Sequence, residues 1–130
     1  MNTVTAFTFA DVSLKTQLDR STDEELDALD FGVIGIDGNG LVQRYNSFES
    51  KAAGLSPQRV LGNALFTVVA PCMNNFMVAQ RFEDALDAGA SLDVTIDYVL
   101  TFRMRPVKVK LRLLASPDAA TRYVLVHRPA

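Results

Sequence analysis

Two short stretches hold the residue types that can do chemistry: Tyr45-Asn46-Ser47-Phe48-Glu49 and Val69-Ala70-Pro71-Cys72. Cys72 is the single cysteine of the chain. Tyr45 and Glu49 stand four positions apart, the spacing that places two side chains on one face of a helical turn. A phenol and a carboxyl so arranged can reach one small polar atom together. The pattern reads as a group carried on Cys72 and gripped at its far end by Tyr45 and Glu49. Glu49 neighbours Phe48, Ala52 and Ala53. If that face turns inward, the low dielectric disfavours the charged carboxylate and raises its pKa. A neutral Glu49 can then donate one hydrogen bond and Tyr45 a second, leaving the negative charge on a phenolate-like or carboxylate-like ligand oxygen.

Plainer readings compete at each position. A lone cysteine in an apolar stretch is commonly an inert core thiol, and Tyr45 and Glu49 read equally as a strand-end tyrosine and a helix-surface glutamate. A cysteine nucleophile needs a base. The only histidine, His127, ends the last strand beside Arg128 and Pro129 and reads as a surface residue. One cysteine and one histidine supply neither an internal disulfide nor a cysteine-cluster zinc site. The turn Asp37-Gly38-Asn39-Gly40 lacks the Gly-Lys-Ser/Thr ending of a phosphate loop and precedes a strand, so it reads as a hairpin turn.

The elements that must position these residues follow from the hydrophobic pattern. Residues 1–28 read as two short helices. Asp11 caps the first, which carries Val12, Leu14 and Leu18; Ser21 to Glu24 has capping-box spacing ahead of Leu26 and Leu29. Neither helix is long enough to stand alone, and the acidic segment reads as a loosely held cap. Phe31 to Ile36 and Leu41 to Tyr45 form a hairpin. Asn46 caps a helix through Glu49 to Ala53, stopped by Gly54. Ser56 and Pro57 start another short turn that Gly62 ends. Ala64 to Cys72 reads as buried. Val78, Phe82, Ala85 and Leu86 form the apolar face of a longer helix stopped at Gly89. Val94 to Met104 and Val107 to Leu113 are strands of period two, with Lys108, Lys110 and Arg112 on the solvent face of the second, and Tyr123 to His127 is the last strand.

This order predicts an α+β fold. It consists of a central antiparallel sheet of about five strands, helices on one face forming a pocket against it, and an N-terminal helical cap. The division is a cap at 1–28 and a core at 29–130, one compact domain in all. With 130 residues, 48% of them hydrophobic and 22% charged, the chain has an ordinary globular balance and can bury a real core. A net charge of −2 without clustered Lys and Arg argues against a nucleic-acid surface. No apolar run reaches membrane-spanning length, and the N-terminus lacks the pattern of a signal peptide. The cytoplasm is the expected compartment, with no nucleic-acid or membrane partner.

Taken together, these residues resemble the photoactive yellow proteins, blue-light receptors of the PAS-domain class. The resemblance runs through Phe31-Gly32-Val33, Asp37-Gly38-Asn39-Gly40, Gln43-Arg44-Tyr45-Asn46, Val69-Ala70-Pro71-Cys72 and Met104-Arg105-Pro106-Val107-Lys108-Val109-Lys110, and covers nearly the whole chain. It implies 4-hydroxycinnamic acid (p-coumaric acid) bound to Cys72 as a thioester, with its phenolate held by Tyr45 and protonated Glu49, and the Cys72 N–H on the thioester carbonyl. Ala53, Leu55, Leu65, Val69, Ala70, Pro71, Phe102 and Met104 are the other implied chromophore contacts, Met104 at a position associated with recovery. The implied cycle is trans-to-cis photoisomerisation, then proton transfer from Glu49. This leaves a buried carboxylate without a partner, at a cost of several kcal/mol, which loosens the cap.

Two positions depart from the best-known members: Ala53 stands where they have a threonine supporting the tyrosine, and Leu55 where they have a gating arginine. Both changes are expected to raise the chromophore phenol's pKa or alter recovery. The protein so read is not an enzyme. It signals through a protein partner of unknown identity or through its own oligomer, as a monomer or weak dimer. The alternative is a PAS-type small-ligand-binding or protein-interaction module without covalent chromophore.

Overall fold

The computed structural model describes residues 8–101 and 106–128. Five strands, β1 (Gly32–Ile36), β2 (Val42–Tyr45), β3 (Leu92–Leu100), β4 (Val107–Ala115) and β5 (Arg122–His127), form one antiparallel sheet in the order β2-β1-β5-β4-β3. Two helices precede it, α1 (Leu14–Arg20) and α2 (Asp23–Asp27). Between β2 and β3 lie α3 (Ser47–Ala53), α4 (Pro57–Val60), a wide π-type turn (Leu65–Val69), a 3-10 turn (Pro71–Met73) and α5 (Ala79–Ala88). The α+β sheet domain agrees with the sequence reading, but β3 begins at Leu92 and ends at Leu100, the expected end at Met104 lying outside the described residues, and β4 continues past Leu113 to Ala115.

Alternation along the central strands splits the core in two. Ile34, Ile36, Val124, Val126, Leu111 and Leu113 face the helices and pack with Val60, Leu65, Ala70, Met73, Val78 and Phe82. Val33, Tyr123, Leu125 and Leu114 face the other way, onto Leu14, Leu18, Leu26 and Leu29 of the N-terminal helices. Both faces of β1 and β5 are therefore covered, and these strands read as unbroken apolar runs.

Several local expectations shift. Asp11 does not cap α1; its carboxyl accepts from the N–H and hydroxyl of Thr8, and Val12 is 95% exposed. The capping box falls one residue later than Ser21–Glu24, on Thr22 and Glu25, where the Glu25 carboxylate reaches back to the N-cap amide. Leu86 lies on the solvent side of α5 and Val68 on that of the π-type turn, so neither run is buried throughout. Arg112 is not on the solvent face. It is buried, its fork closed on both oxygens of Asp93 at 2.9 Å, and it donates to the carbonyls of Phe9 and Asp11. Arg44 grips the carbonyls of Leu18 and Ser21 and the Asp23 carboxylate. Leu14, Leu18 and Leu26 are almost fully enclosed. The described part of the cap is thus docked by packing and by two arginines, more extensively than a loosely held cap implies. Among the described residues no helix is long and apolar enough to cross a membrane.

Candidate functional site

Tyr45 and Glu49 do not share a helical turn. Tyr45 ends β2, Asn46 is the extended N-cap of α3, and Glu49 is the third residue of the helix. Asn46 sets this junction. Its Oδ1 accepts from Val33 N–H at 2.9 Å and Glu49 N–H at 3.2 Å, and its Nδ2 donates to the carbonyls of Leu26 and Phe31 at 2.9 and 3.0 Å. One buried amide thereby fixes where the strand ends, where the helix starts and how both meet α2.

The Tyr45 hydroxyl is buried and has no hydrogen-bond partner among the described residues. Burial, with the Glu49 carboxyl nearby, pushes its pKa above the usual phenol range, although Arg128 opposes the shift. An unpartnered buried hydroxyl carries a desolvation cost and is a donor waiting for an acceptor. Glu49 is fully buried, as the inward-facing reading requires, but its carboxyl is not free. Arg128 Nη1 donates to Oε1 at 2.6 Å and Nη2 to Oε2 at 3.1 Å, a fork-to-fork pair. Burial raises the Glu49 pKa, and the bonds and charge of Arg128 pull it back part of the way.

Sequence reasoning missed Arg128 because its position depends on pairing. β5 runs antiparallel beside β1 with Val126 opposite Gly32, so the residue two past Val126 emerges where β1 begins. Gly32 leaves the space that the Glu49 carboxyl fills. Neither fact has a local sequence signal.

Cys72 is half-buried in the 3-10 turn that follows Ala70 and packs against the helix-side core. That core also contains Tyr45, Leu65 and Ala70, with Leu55 and Val69 partly buried against it. Ala53 is buried on α3. Pro71 is exposed, contrary to the expected buried run. Phe102 and Met104 lie outside the described residues. Two further residues tie down the Cys72 backbone: its carbonyl accepts from the Tyr98 hydroxyl and from Asn75 Nδ2, and Asn75 also donates to Tyr98. The alternation of β3 already pointed Tyr98 inward. A cavity of about 650 Å³, lined in part by Asn75, Met77, Tyr98 and Val109, opens beside this turn.

A thiol and a buried phenol without a partner among the described residues, in one core, fit a small group attached at the first and bearing an acceptor oxygen for the second. They do not resemble a cysteine–histidine pair, since His127 is exposed and stacks on the Phe9 ring at 5.2 Å. Among the described residues no three His, Cys, Asp or Glu side chains gather as metal ligands.

Comparison with known proteins extends this picture. The PAS fold family matches residues 21–130. The photoactive yellow protein of Rhodothalassium salexigens is 32% identical over 82% of this chain and 84% of its own. That of Halochromatium salexigens is 32% identical over 81% and 83%. The crystal structure of the photoactive yellow protein domain from the sensor histidine kinase Ppr of Rhodospirillum centenum superposes with a TM-score of 0.80. It is 37% identical and covers 88% of this chain and 99% of that one.

Proposed function

The chain belongs to the PAS fold family and, within it, to the photoactive yellow proteins, and from that premise we propose that it is a blue-light photoreceptor whose pigment is p-coumaric acid joined to Cys72 as a thioester. The observation that carries the proposal is the Tyr45 hydroxyl, buried without a partner among the described residues in the core that also holds the only thiol. When bound, the pigment supplies visible absorption and a double bond that light can isomerise.

The chain's own residues do the rest. Cys72 anchors, its turn held by Tyr98 and Asn75. Tyr45 donates its hydroxyl hydrogen to the ligand's phenolic oxygen. Glu49 holds the mobile proton on its carboxyl and, after light, gives it to that oxygen. Leu65, Ala70, Leu55 and Val69 keep the space apolar and exclude water. Tyr45 and Glu49 cooperate through the N-cap geometry of Asn46. No product leaves such a cycle, so the protein is a sensor and not an enzyme. Its output goes to a protein partner.

Reconstitution with activated p-coumaric acid, beside a Cys72→Ala control, tests this. The expected result is one covalent adduct by mass, removed by hydroxylamine, with a visible band that bleaches in blue light and recovers in the dark. A folded protein that takes no adduct would overturn it. The non-covalent PAS binding module would then be the better reading, with the cavity beside Asn75 and Tyr98 as its ligand space.

A further inference from the structure

The Arg128–Glu49 pair changes how charge is handled at this site. If Cys72, Tyr45 and Glu49 form a ligand site as proposed above, one mobile proton is shared between Glu49 and the ligand's phenolic oxygen. Wherever the proton sits, one negative charge remains in a buried place. The sequence suggested that this charge, once on Glu49, has no partner, and that Leu55 deprives the site of a cation. The structure brings a cation to it from the end of β5.

We propose that Arg128 is the built-in counterion of the site: it forks onto the Glu49 carboxylate when the mobile proton has passed to the ligand oxygen, and its charge supports the ligand oxyanion when the proton is back on Glu49. The geometry supports this in three ways. Both carboxyl oxygens are engaged, at 2.6 and 3.1 Å, by two nitrogens of one guanidinium, the arrangement suited to an ionised carboxylate. Both side chains are enclosed, Glu49 at 1% and Arg128 at 15% exposure, so the attraction is weakly screened. A guanidinium does not give up its proton in proteins, so the positive charge is permanent and only one proton moves. It leaves the Glu49 carboxyl for the phenolate oxygen and returns by the reverse step.

Among the described residues, the charged or titratable groups that face the Glu49 carboxyl are Arg128 and, at the end of β2, Tyr45. β1 presents Gly32, without a side chain. Asp27 of α2 is engaged elsewhere, accepting from Ser47 N–H at 2.7 Å. The consequence is that proton transfer leaves a paired carboxylate. An orphaned charge is therefore not the force that opens this protein, and the state after transfer is stabilised.

The test uses the full chain, unloaded and loaded. Carbon-13 NMR of the glutamate carboxyls in the unloaded wild type, Arg128→Lys and Arg128→Gln follows the Glu49 titration. The Glu49 midpoint should rise by about one pH unit or more in Arg128→Gln and less in Arg128→Lys, which keeps the charge but not the fork. After loading with activated p-coumaric acid, dark recovery of Arg128→Gln should be about tenfold faster, the kinetic equivalent of that loss. Coincident Glu49 titrations in wild type and Arg128→Gln, or equal recovery rates, would overturn the counterion. If the wild type fails to load while the titration shifts as expected, the photoreceptor reading falls and the Arg128–Glu49 pairing stands. Far-ultraviolet circular dichroism confirms that each variant is folded, and Arg128→Lys serves if Arg128→Gln is not.

Discussion

Gly32 and Glu49 claim the same space at the start of β1. A methyl group on Gly32 would overlap Oε1 of Glu49 and lie 3.0 Å from its Cδ and 3.2 Å from its Cβ. The absence of a side chain at position 32 is what lets a carboxyl from α3 sit flat on the sheet and meet Arg128. Gly32→Ala should expel the carboxyl, break the fork and lower stability by about 1–3 kcal/mol, as overpacking does. Urea unfolding reads this as a lower midpoint at unchanged slope. Adding Glu49→Ala to Gly32→Ala should recover part of the loss, because the two changes share one contact. Strictly additive effects would show that the two residues do not compete for this space.

The Tyr45 hydroxyl separates a functional role from a structural one. It has no partner among the described residues, so Tyr45→Phe should leave the unloaded protein as stable as the wild type or more stable by up to about 1 kcal/mol. In the loaded protein the same change removes a donor from the ligand oxygen and should raise the pKa of the pigment phenol in a visible titration. A fall in unloaded stability of more than about 1 kcal/mol would mean that the hydroxyl is holding the fold, and would remove the observation on which the proposed function rests.

What could be read from the sequence was whatever depends on neighbours along the chain. The hairpin at Asp37–Gly40, the Asn46 cap, the Gly54 stop with φ of 73° and the period of β3 are local, and the structure agrees with them. The candidate residues Cys72, Tyr45 and Glu49 were visible as rare types near apolar runs. Their electrostatics were not, because the partner of Glu49 arrives through the pairing of β5 with β1. Arg112 shows the same limit. Its alternation with Leu111 and Leu113 marks the face away from the helices, and at Arg112 that face is covered by the cap, while Lys108 and Lys110 on the same face are exposed. A period of two reports which face a residue takes. It does not report whether a second layer lies on that face.

Glu49 should also set the pH dependence of stability. Burial raises its folded-state pKa above the ordinary 4.5, so the native chain binds more protons than the unfolded chain over the interval between those values. Its contribution is full below the unfolded pKa and is lost as pH rises through the folded one. Asp11 and Asp97 act with the opposite sign. Hydrogen bonds from Thr8 and from Lys110, respectively, hold their pKa values below 3.8, and both are exposed, so their effect is confined to acid. Urea midpoints followed upward from pH 4.5 should therefore fall with pH in the wild type and flatten in Glu49→Gln. A steeper fall in Arg128→Gln than in the wild type is expected as well, since Glu49 then has further to titrate. Parallel curves in all three proteins would place the Glu49 pKa at its ordinary value.

Two arginines from the sheet hold separate parts of the N-terminal cap. Arg112 donates to the carbonyls of Phe9 and Asp11 at 2.8 and 2.7 Å while its fork is braced on Asp93. Arg44 takes the carbonyls of Leu18 and Ser21, the Asp23 carboxylate and the Tyr123 hydroxyl. Arg44 satisfies carbonyls at the C-terminal end of α1, and Arg112 those of the turns that lead into the helix. Arg112→Ala should free the turns that lead into α1, increasing chymotryptic cleavage after Phe9 with little change after Lys15 or Arg20. Arg44→Ala should do the reverse, exposing Lys15 and Arg20 to trypsin because the α1–α2 junction loses its clamp. Local opening of this kind changes cleavage without changing global unfolding in proportion. If either variant raised cleavage equally at Phe9, Lys15 and Arg20, the cap would be opening as one body, and separate control of its two parts would have to be abandoned.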